Sequence, residues 1–531
     1  MSRISALLLS LLLTFGPGGA LPARSQDLAG AIRAEASRRG GELAAWYQAR
    51  NHAPIWSGER LAGLAQFIRE LNAHGLAPEL FSFSQWDASW RNPDPNPAVR
   101  ASIEVGTTHL ALFAIQSAAY GFVDPSTVHP KWSEVPRKVS AYDFLNEALR
   151  QDPRQLGSFL IDKVPPQDER YREMITTLAR YRQIASYGGW RNLPATARPA
   201  GVGSEYPELK LLRSRLQAEG DLPPSTVRYR SKTIDQQTAD AIKSFQFRHG
   251  IEPDGYIGQA SLVELNTPVE ERVNMLVINI DRLRWMPRAY EQVDHIEVNI
   301  AESALRVFDR KRRLTTMPVI VGVKGKHQTP VFHDKMDYLI FRPYWNVPVS
   351  IARKELVPEA RSDPDGYFRK HDYQIVRYYD APYSEILSPT QSNLDKLAAG
   401  SLLMRQGTGP DNALGLVKFI FPNDSSVYLH DTPDHSLFQR ADRDFSHGCV
   451  RVSRPDELAD IVLQRNGGWN IQTVRQAMQD TNNPNNRVDL EPPMPVYLIY
   501  WTSTIMGDGR VRFDQDIYGH DETMYQRFGI R

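Results

Sequence analysis

The spacing of hydrophobic residues changes near residue 290, and this change constrains the fold more than any other feature of the sequence. Before that point, apolar residues recur at helical spacing, as in residues 58–76 and 102–123. After it, apolar and polar residues alternate, as in residues 295–322, which is typical of half-buried strands joined by hairpin turns. A chain of 531 residues is long enough for about three domains. We therefore expect a multidomain α+β protein.

The pattern divides the chain into three expected domains. Residues 26–200 are predicted to form a helical scaffold domain, and residues 205–267 a small three-helix unit around an Asp-Gly turn. Residues 290–520 are predicted to form a mainly β domain, with a polar, helical insertion at about 355–405. An insertion of this length in a sheet domain is often a lid.

Several segments of the β domain have more specific expectations. Two prolines, Pro343 and Pro348, restrict the stretch between them to an edge strand or a loop. Residues 416–431 are predicted to form a hairpin whose second strand leads into His430. The segments 494–505 and 509–519 are expected to close the sheet.

The first 25 residues have the features of a secretory signal. Arg3 precedes a short apolar run, and small residues follow, so cleavage is expected between about Ala20 and Ser25. The apolar run is too short to span a bilayer comfortably, although an uncleaved N-terminal anchor is the alternative. We therefore expect a mature protein outside the cytoplasm.

Charge and cysteine content exclude some classes of function. The formal net charge is +1, from 63 basic and 62 acidic residues, so we expect no nucleic-acid partner. Cys449 is the one cysteine of the chain and has no internal partner for a disulfide. A free thiol outside the cytoplasm is open to oxidation, so it either has a chemical role or is an inert, buried apolar side chain.

The residues around Cys449 favour a chemical role. A cysteine attacks as the thiolate, which is scarce at neutral pH, and a nearby histidine can accept its proton. His430 is expected at the end of a strand, which would hold its side chain at the rim of the sheet. His447 lies two residues before Cys449, so an extended segment would point both side chains the same way.

Gly448 and the residues after Cys449 complete the local pattern. Glycine lets the backbone approach a substrate closely, so the amides of Gly448 and Cys449 are candidates for stabilising an oxyanion. Residues 453–456 are typical of a helix start, with Ser453 as the predicted N-cap. Zinc binding by these histidines and the thiol is an alternative, but the spacing fits known zinc sites poorly, and we expect no metal.

These motifs resemble the L,D-transpeptidase (YkuD-like) family. The resemblance is carried by His430 and by SHGCVR at residues 446–451, and it extends to VIVGVKGKHQTPVF, PYWNVP and RQGTGPDNALG. Through SFQFRHGI and DGYIG, residues 205–267 resemble a small peptidoglycan-binding domain. Together with the helical region and the inserted lid, they resemble the large Gram-negative periplasmic members (YcbB-like). Smaller members often carry glycine where this chain has Asp431, so the group that orients His430 is open, with a backbone carbonyl expected.

The resemblance implies a substrate and a reaction. Cys449 attacks the third residue of a peptidoglycan tetrapeptide stem and expels the terminal D-alanine, with His430 as general base. The thioester then passes to the side-chain amine of a second stem, which gives a 3→3 cross-link. It implies supporting or oxyanion roles for Gly448, Ser446, His447 and Arg451. Tyr428 and Trp345 are candidates for lining the substrate groove, with packing in the core as the alternative for each. The resemblance implies no cofactor, and it suggests acylation of the thiol by a carbapenem.

Several alternatives stay open from the sequence. Water could take the thioester, which would make the protein an L,D-carboxypeptidase, and so could another amine, such as a lipoprotein lysine. A non-catalytic wall-binding scaffold is the remaining alternative, which an intact Cys449 and His430 disfavour. Peptidoglycan stem peptides are the expected partners, and wall synthases cannot be read from the sequence.

Overall fold

The computed structural model describes residues 28–92, 94–132, 140–224, 231–288, 290–379 and 385–530. They form two compact units. The first unit combines the described residues before Glu291 with those from Trp501 on, and the second is Glu291–Tyr500. The predicted signal at residues 1–25 lies outside the described residues. Within the described part of the chain, no helix combines the length and apolar character needed to cross a membrane.

The N-terminal part of the first unit is helical, as predicted. Its helices are α1 (Leu28–Arg39), α2 (Gly41–Gln48), α3 (Gly58–Glu70), α4 (Phe83–Arg91), α5 (Pro97–Tyr120), α6 (Ala141–Arg150), α7 (Leu156–Lys163) and α8 (Glu169–Ser186). The long helix α5 begins at a proline, and the Asn96 side chain caps it by accepting the Ala98 N–H. Most of α5 is buried, so it is the centre of this helical core.

The three-helix unit is also present. It consists of α9 (Leu209–Glu219), α10 (Gln236–Arg248) and α11 (Gln259–Asn266), packed around a core that includes Leu212, Ile242 and Phe245. Gly220 ends α9 in the left-handed conformation, as the glycine in the sequence indicates. The helix α12 (Val269–Arg284) follows and leads towards the second unit along the chain.

The second unit is built on a nine-stranded sheet in the order β10-β3-β11-β9-β8-β4-β12-β1-β2. Its strands are β1 (His295–Asn299), β2 (Ala304–Asp309), β3 (Arg312–Gly322), β4 (Phe332–Phe341), β8 (Val417–Ile420), β9 (Leu429–His430), β10 (Asp444–Ser446), β11 (Val450–Val452) and β12 (Asn486–Ile499). The long strand β3, second in this order, also pairs with β2 at the far end. The predicted strand pattern after residue 290 is therefore confirmed.

Helices α17 (Pro455–Leu463) and α18 (Ile471–Gln479) follow β11. The prediction that Ser453 caps α17 is wrong, because Arg454 occupies the N-cap position and no side chain caps the helix. The physical reason lies in the sheet. The Ser453 N–H still donates to the carbonyl of Pro318 in β3 (3.3 Å), so the chain leaves the sheet one residue later than predicted.

The insertion contains a small sheet that the sequence did not reveal. The strands β5 (Trp345–Val347), β6 (Tyr373–Val376) and β7 (Leu403–Gln406) pair in the order β5-β7-β6. Its helical segments are α13 (Val349–Ile351), a π-helical turn (Ala352–Leu356), α14 (Val357–Ala360), α15 (Pro364–Lys370) and α16 (Gln391–Ala399). The expectation of an edge strand between Pro343 and Pro348 is confirmed, since β5 is at the edge. Buried residues including Phe368, Leu394 and Met404 give the insertion a core of its own.

The C-terminal segment corrects one prediction. Residues 494–499 do belong to the large sheet, but β13 (Ser503–Ile505) and β14 (Val511–Phe513) pair with each other in a separate sheet, followed by α19 (His520–Phe528). The expectation that residues 509–519 close the large sheet is therefore wrong. Alternation of apolar and polar residues predicts a strand, but it does not predict which strand it pairs with. The segment is held within the first unit by hydrogen bonds from Arg248 to the Val511 carbonyl (2.7 Å) and from Arg510 to Asp221 (2.9 Å).

The core of the insertion gives a stability test. Leu394 is fully buried there, so we expect Leu394→Ala to lower the free energy of opening the insertion by about 2–5 kcal/mol. Hydrogen exchange of the β6 and β7 amides measures this opening. Ile386→Ala is the matched control, because this side chain is 59% exposed. Equal exchange rates in the two variants would contradict an independently packed core.

Candidate active site

The Cys449 thiol sits on a short loop between β10 and β11, and side-chain hydroxyls fix this loop. Ser446 Oγ accepts the Gly448 N–H (3.1 Å) and donates to the Cys449 carbonyl (2.5 Å). Thr329 Oγ1 donates to the Gly448 carbonyl (2.8 Å). The strands on either side of the loop, β10 and β11, both pair with β3, so the loop is also held at its two ends.

Two residues of this loop carry different kinds of sequence signal. Gly448 has φ +110°, a conformation that L side chains rarely adopt, while a Cβ there would find room. The backbone conformation at residue 448, and not a lack of space, therefore requires glycine. Thr329 is buried and also accepts the Gly322 N–H (2.9 Å), yet its role was missed. Thr329 lies within VIVGVKGKHQTPVF, which carries part of the family resemblance, but nothing local indicates its contact with the Gly448 carbonyl.

His430 lies at the end of β9, as predicted, and is 5% exposed. Its strand runs parallel to β11 and antiparallel to β8, so His430 pairs with Arg451 on one side and with Lys418 on the other. Nδ1 donates to the carbonyl of Asp431 (2.6 Å), which leaves Nε2 as the proton acceptor. The expectation that a backbone carbonyl orients His430 is confirmed.

The Asp431 carboxylate turns away from the imidazole. It accepts the backbone N–H groups of Leu416 (2.8 Å) and Thr432 (2.7 Å). Gly415 makes this possible, because a Cβ at that position would lie 2.3 Å from the carboxyl carbon. Burial raises the pKa of the Asp431 carboxyl, and the two backbone donors oppose that shift. Asp431 thus supports the strand end and does not orient His430 through its side chain.

The thiol and the imidazole come from neighbouring strands but are not hydrogen-bonded. In the parallel pair, Val450 lies beside Leu429 and Arg451 beside His430. Cys449 directly precedes Val450, so it lies one residue beyond the paired end of β11. The sulfur is 3.8 Å from the Ser426 carbonyl, and among the described residues no hydrogen bond joins it to His430. Tyr428 contacts the thiol through its backbone and its side chain, and its place in the substrate groove stays a prediction.

Burial keeps both groups uncharged at rest, and the nearby cations add to this effect only for His430. Burial raises the pKa of the Cys449 thiol, although hydrogen bonds from Tyr428 and the positive charges of Arg451 and Lys418 oppose the shift. Burial, Arg451 and Lys418 together lower the pKa of His430 to about 3. The resting pair is therefore a neutral thiol beside a neutral imidazole that can accept a proton.

The remaining predicted residues fall in different places. Ser446 and Gly448 shape the thiol loop, and Arg451 lies in β11 beside His430. The His447 imidazole points to the insertion, with Nε2 3.1 Å from Glu355 Oε1. Trp345 packs against the insertion core, with its ring centroid 6.4 Å from that of Tyr373, and its place in the groove stays a prediction. In the described ranges, no group of three or more His, Cys, Asp or Glu residues could hold a metal ion.

Comparison with protein families gives three matches. Residues 293–519 match the model of the L,D-transpeptidase catalytic domain (YkuD). Residues 41–178 match a scaffold domain, and residues 205–265 match a "Putative peptidoglycan binding domain". These matches follow the chain order expected from the sequence.

Individual proteins are also similar. A Haemophilus influenzae protein described as "Putative L,D-transpeptidase" is 32% identical over 250 residues, which cover 46% of this chain and 48% of that protein. The matched chain thus spans about half the length of this relative. An L,D-transpeptidase structure from Mycobacterium smegmatis is 14% identical, with 39% of this chain and 58% of that chain covered and a TM-score of 0.19. One from Stackebrandtia nassauensis is 12% identical, with 58% and 96% covered and a TM-score of 0.20.

The neutral resting pair predicts how thiol reactivity depends on pH. His430 is uncharged above about pH 3. Because the Cys449 pKa is raised, the thiolate fraction should grow about tenfold per pH unit between pH 6 and 8. The rate of alkylation by iodoacetamide should rise in parallel with the thiolate fraction. The rate measured with Cys449→Ala gives the background, since the chain has no other thiol. A rate that is already constant below pH 7 would instead indicate a thiolate–imidazolium pair.

Proposed function

We propose, from the match of residues 293–519 to the L,D-transpeptidase catalytic domain, that the chain cross-links peptidoglycan stem peptides through a cysteine acyl-enzyme. The observation that carries the proposal is the placement of the one thiol. Cys449 sits on a rigid loop at the start of β11, next to the strand that ends in a buried, neutral His430. This is the arrangement that an activated sulfur nucleophile requires.

The reaction proceeds in two transfers. His430 Nε2 takes the proton of the thiol, and Sγ forms a bond to the carbonyl carbon of the third residue of a tetrapeptide stem. The C–N bond to the terminal D-alanine breaks, and the leaving nitrogen takes the proton from His430. The side-chain amine of a second stem then attacks the thioester. A new C–N bond forms, the C–S bond breaks, and the amine proton returns to the sulfur through His430, which gives a 3→3 cross-link.

Backbone amides stabilise the negative oxygen of the intermediate. We assign this role first to the Cys449 N–H, for which the described residues offer no hydrogen-bond partner. The Gly448 N–H is the second expected donor, but it is bonded to Ser446 Oγ in the resting structure. Gly448 contributes to the oxyanion site if Ser446 releases it, and otherwise serves the loop conformation alone.

The insertion acts as the lid of this site. His447, one residue before Gly448, contacts Glu355 in the π-helical turn of the insertion. A lid held over the thiol loop excludes water from the thioester and favours attack by an amine. The same site without a closed lid would hydrolyse the thioester and act as an L,D-carboxypeptidase. Transfer to another amine, such as a lipoprotein lysine, uses the same thioester and differs only in the acceptor.

The accessory domains fit work at the cell wall. Residues 205–265 match a peptidoglycan-binding model and would hold the enzyme on its polymeric substrate. A peptidoglycan substrate requires a location outside the cytoplasm, which is consistent with the predicted signal and a periplasmic protein. The thiol is also the expected target of a carbapenem, which would acylate Cys449 as the donor stem does.

The proposed reaction predicts defined products. Mature protein incubated with disaccharide-tetrapeptide muropeptides should form a dimer that has lost one D-alanine, and mass spectrometry detects it. Cys449→Ala should lower its formation by about 10⁴-fold or more, because the nucleophile is removed. Ser453→Ala, which changes a hydroxyl outside the thiol loop, is the control. A tripeptide monomer as sole product would establish the carboxypeptidase, and full turnover by Cys449→Ala would exclude Cys449 as the nucleophile.

The lid contact predicts a change in product ratio. Glu355 and His447 are both about two-fifths exposed, with side-chain values of 40% and 41%, so their contact is worth at most about 1 kcal/mol. We expect Glu355→Ala to lower the ratio of cross-linked dimer to tripeptide by up to about fivefold. Glu491→Gln, an exposed glutamate of β12, is the control. An unchanged ratio would show that this contact does not hold the lid.

A further inference from the structure

Two cations flank His430 in a row across the sheet. Lys418 in β8 pairs directly with His430 in β9, and His430 pairs directly with Arg451 in β11. Side chains of directly paired residues project from the same face of a sheet. Both cations also act on the Cys449 thiol, since their charges favour its ionised form. The nucleophile therefore has two positive side chains near it.

Neither cation is neutralised by an acid at short range. Within the described residues, Lys418 has no hydrogen bond or ion pair, and burial lowers its pKa to about 8. Arg451 has a buried Nε with no hydrogen bond, and its electrostatic partner Asp434 forms no ion pair with it. Keeping cations partly buried without a bound anion is costly, so a ligand that brings an anion would stabilise the pair.

The donor stem brings such an anion. A tetrapeptide ends in the residue that departs, and its free carboxylate is two bonds from the scissile nitrogen. We propose that Lys418 and Arg451 form a carboxylate subsite beside Cys449, which binds the C-terminal carboxylate of the departing amino acid. This subsite rests on the proposed function. It selects stems that end one residue after the scissile bond, because a longer stem places a neutral peptide group there.

The same cations could serve the thiolate alone, and the two roles have different consequences. A cation that only stabilises the thiolate acts equally on every substrate. A cation that binds the carboxylate acts on a substrate only when that substrate carries the charge. A pair of donor stems that differ solely in the terminal group, a carboxylate in one and a carboxamide in the other, therefore separates the two roles.

The experiment compares kcat/KM of the mature protein for these two stems, from the release of alanine or alaninamide. A charge-assisted hydrogen bond predicts a preference of roughly tenfold to a hundredfold for the carboxylate stem. Lys418→Met should reduce the preference to within about threefold, while Lys418→Arg retains it. Lys335→Met is the matched control, since this lysine is exposed on β4 of the same sheet.

Each outcome is decisive. The subsite is overturned if wild-type protein treats the stems alike, or if Lys418→Met slows both equally, which would leave only a role at the thiolate. The comparison of the two stems on wild-type protein does not depend on a variant, so it still tests the subsite if Lys418→Met fails to fold. If wild-type protein releases nothing from either stem, the proposed function fails separately. Calorimetric binding of both stems to Cys449→Ala then decides the subsite, with equal affinities overturning it.

Discussion

The pairing of β9 with β11 is the constraint on which the candidate active site depends. One strand ends in His430, and the other begins directly after Cys449, so the backbone ladder sets the separation of the thiol and the imidazole. Hydroxyl groups of Ser446 and Thr329 then fix the loop that carries the sulfur. The geometry of the pair is therefore a property of the sheet. The two side chains could not be brought together by a flexible loop with the same accuracy, because such a loop would have to be ordered anew for each reaction.

The electrostatics of the site follow from that placement. His430 is buried between two cations, which keeps it neutral, and burial keeps the neighbouring thiol neutral as well. In the proposed reaction, negative charge therefore appears only when the thiolate forms, near Arg451 and Lys418, and then on the oxyanion. Preorganised positive groups stabilise such transient negative charge without reorganisation of solvent. A site arranged in this way also suits a substrate that arrives with a carboxylate of its own.

The insertion is built as a separate module within the catalytic unit. Its small sheet and helices enclose their own core, so its fold does not depend on the large sheet for burial of apolar surface. Its link to the thiol loop, between Glu355 and His447, is exposed and correspondingly weak. A stable module on a weak contact can open and close as a body, as the proposed lid would have to do to admit substrate.

The sequence alone determined the change from helices to strands and indicated the proposed nucleophile and base, because periodicity and the SHGCVR motif are local properties of the chain. It also indicated that a backbone carbonyl orients His430, and the structure showed that this is the carbonyl of Asp431. The tertiary structure decided what depends on pairing between distant segments. Alternation at residues 509–519 predicted a strand correctly, but only the fold showed that β14 pairs with β13 and not with the large sheet. Likewise, no local pattern indicates the contact of Thr329 with the thiol loop or the position of Lys418 beside His430, since these arise from loop packing and sheet register.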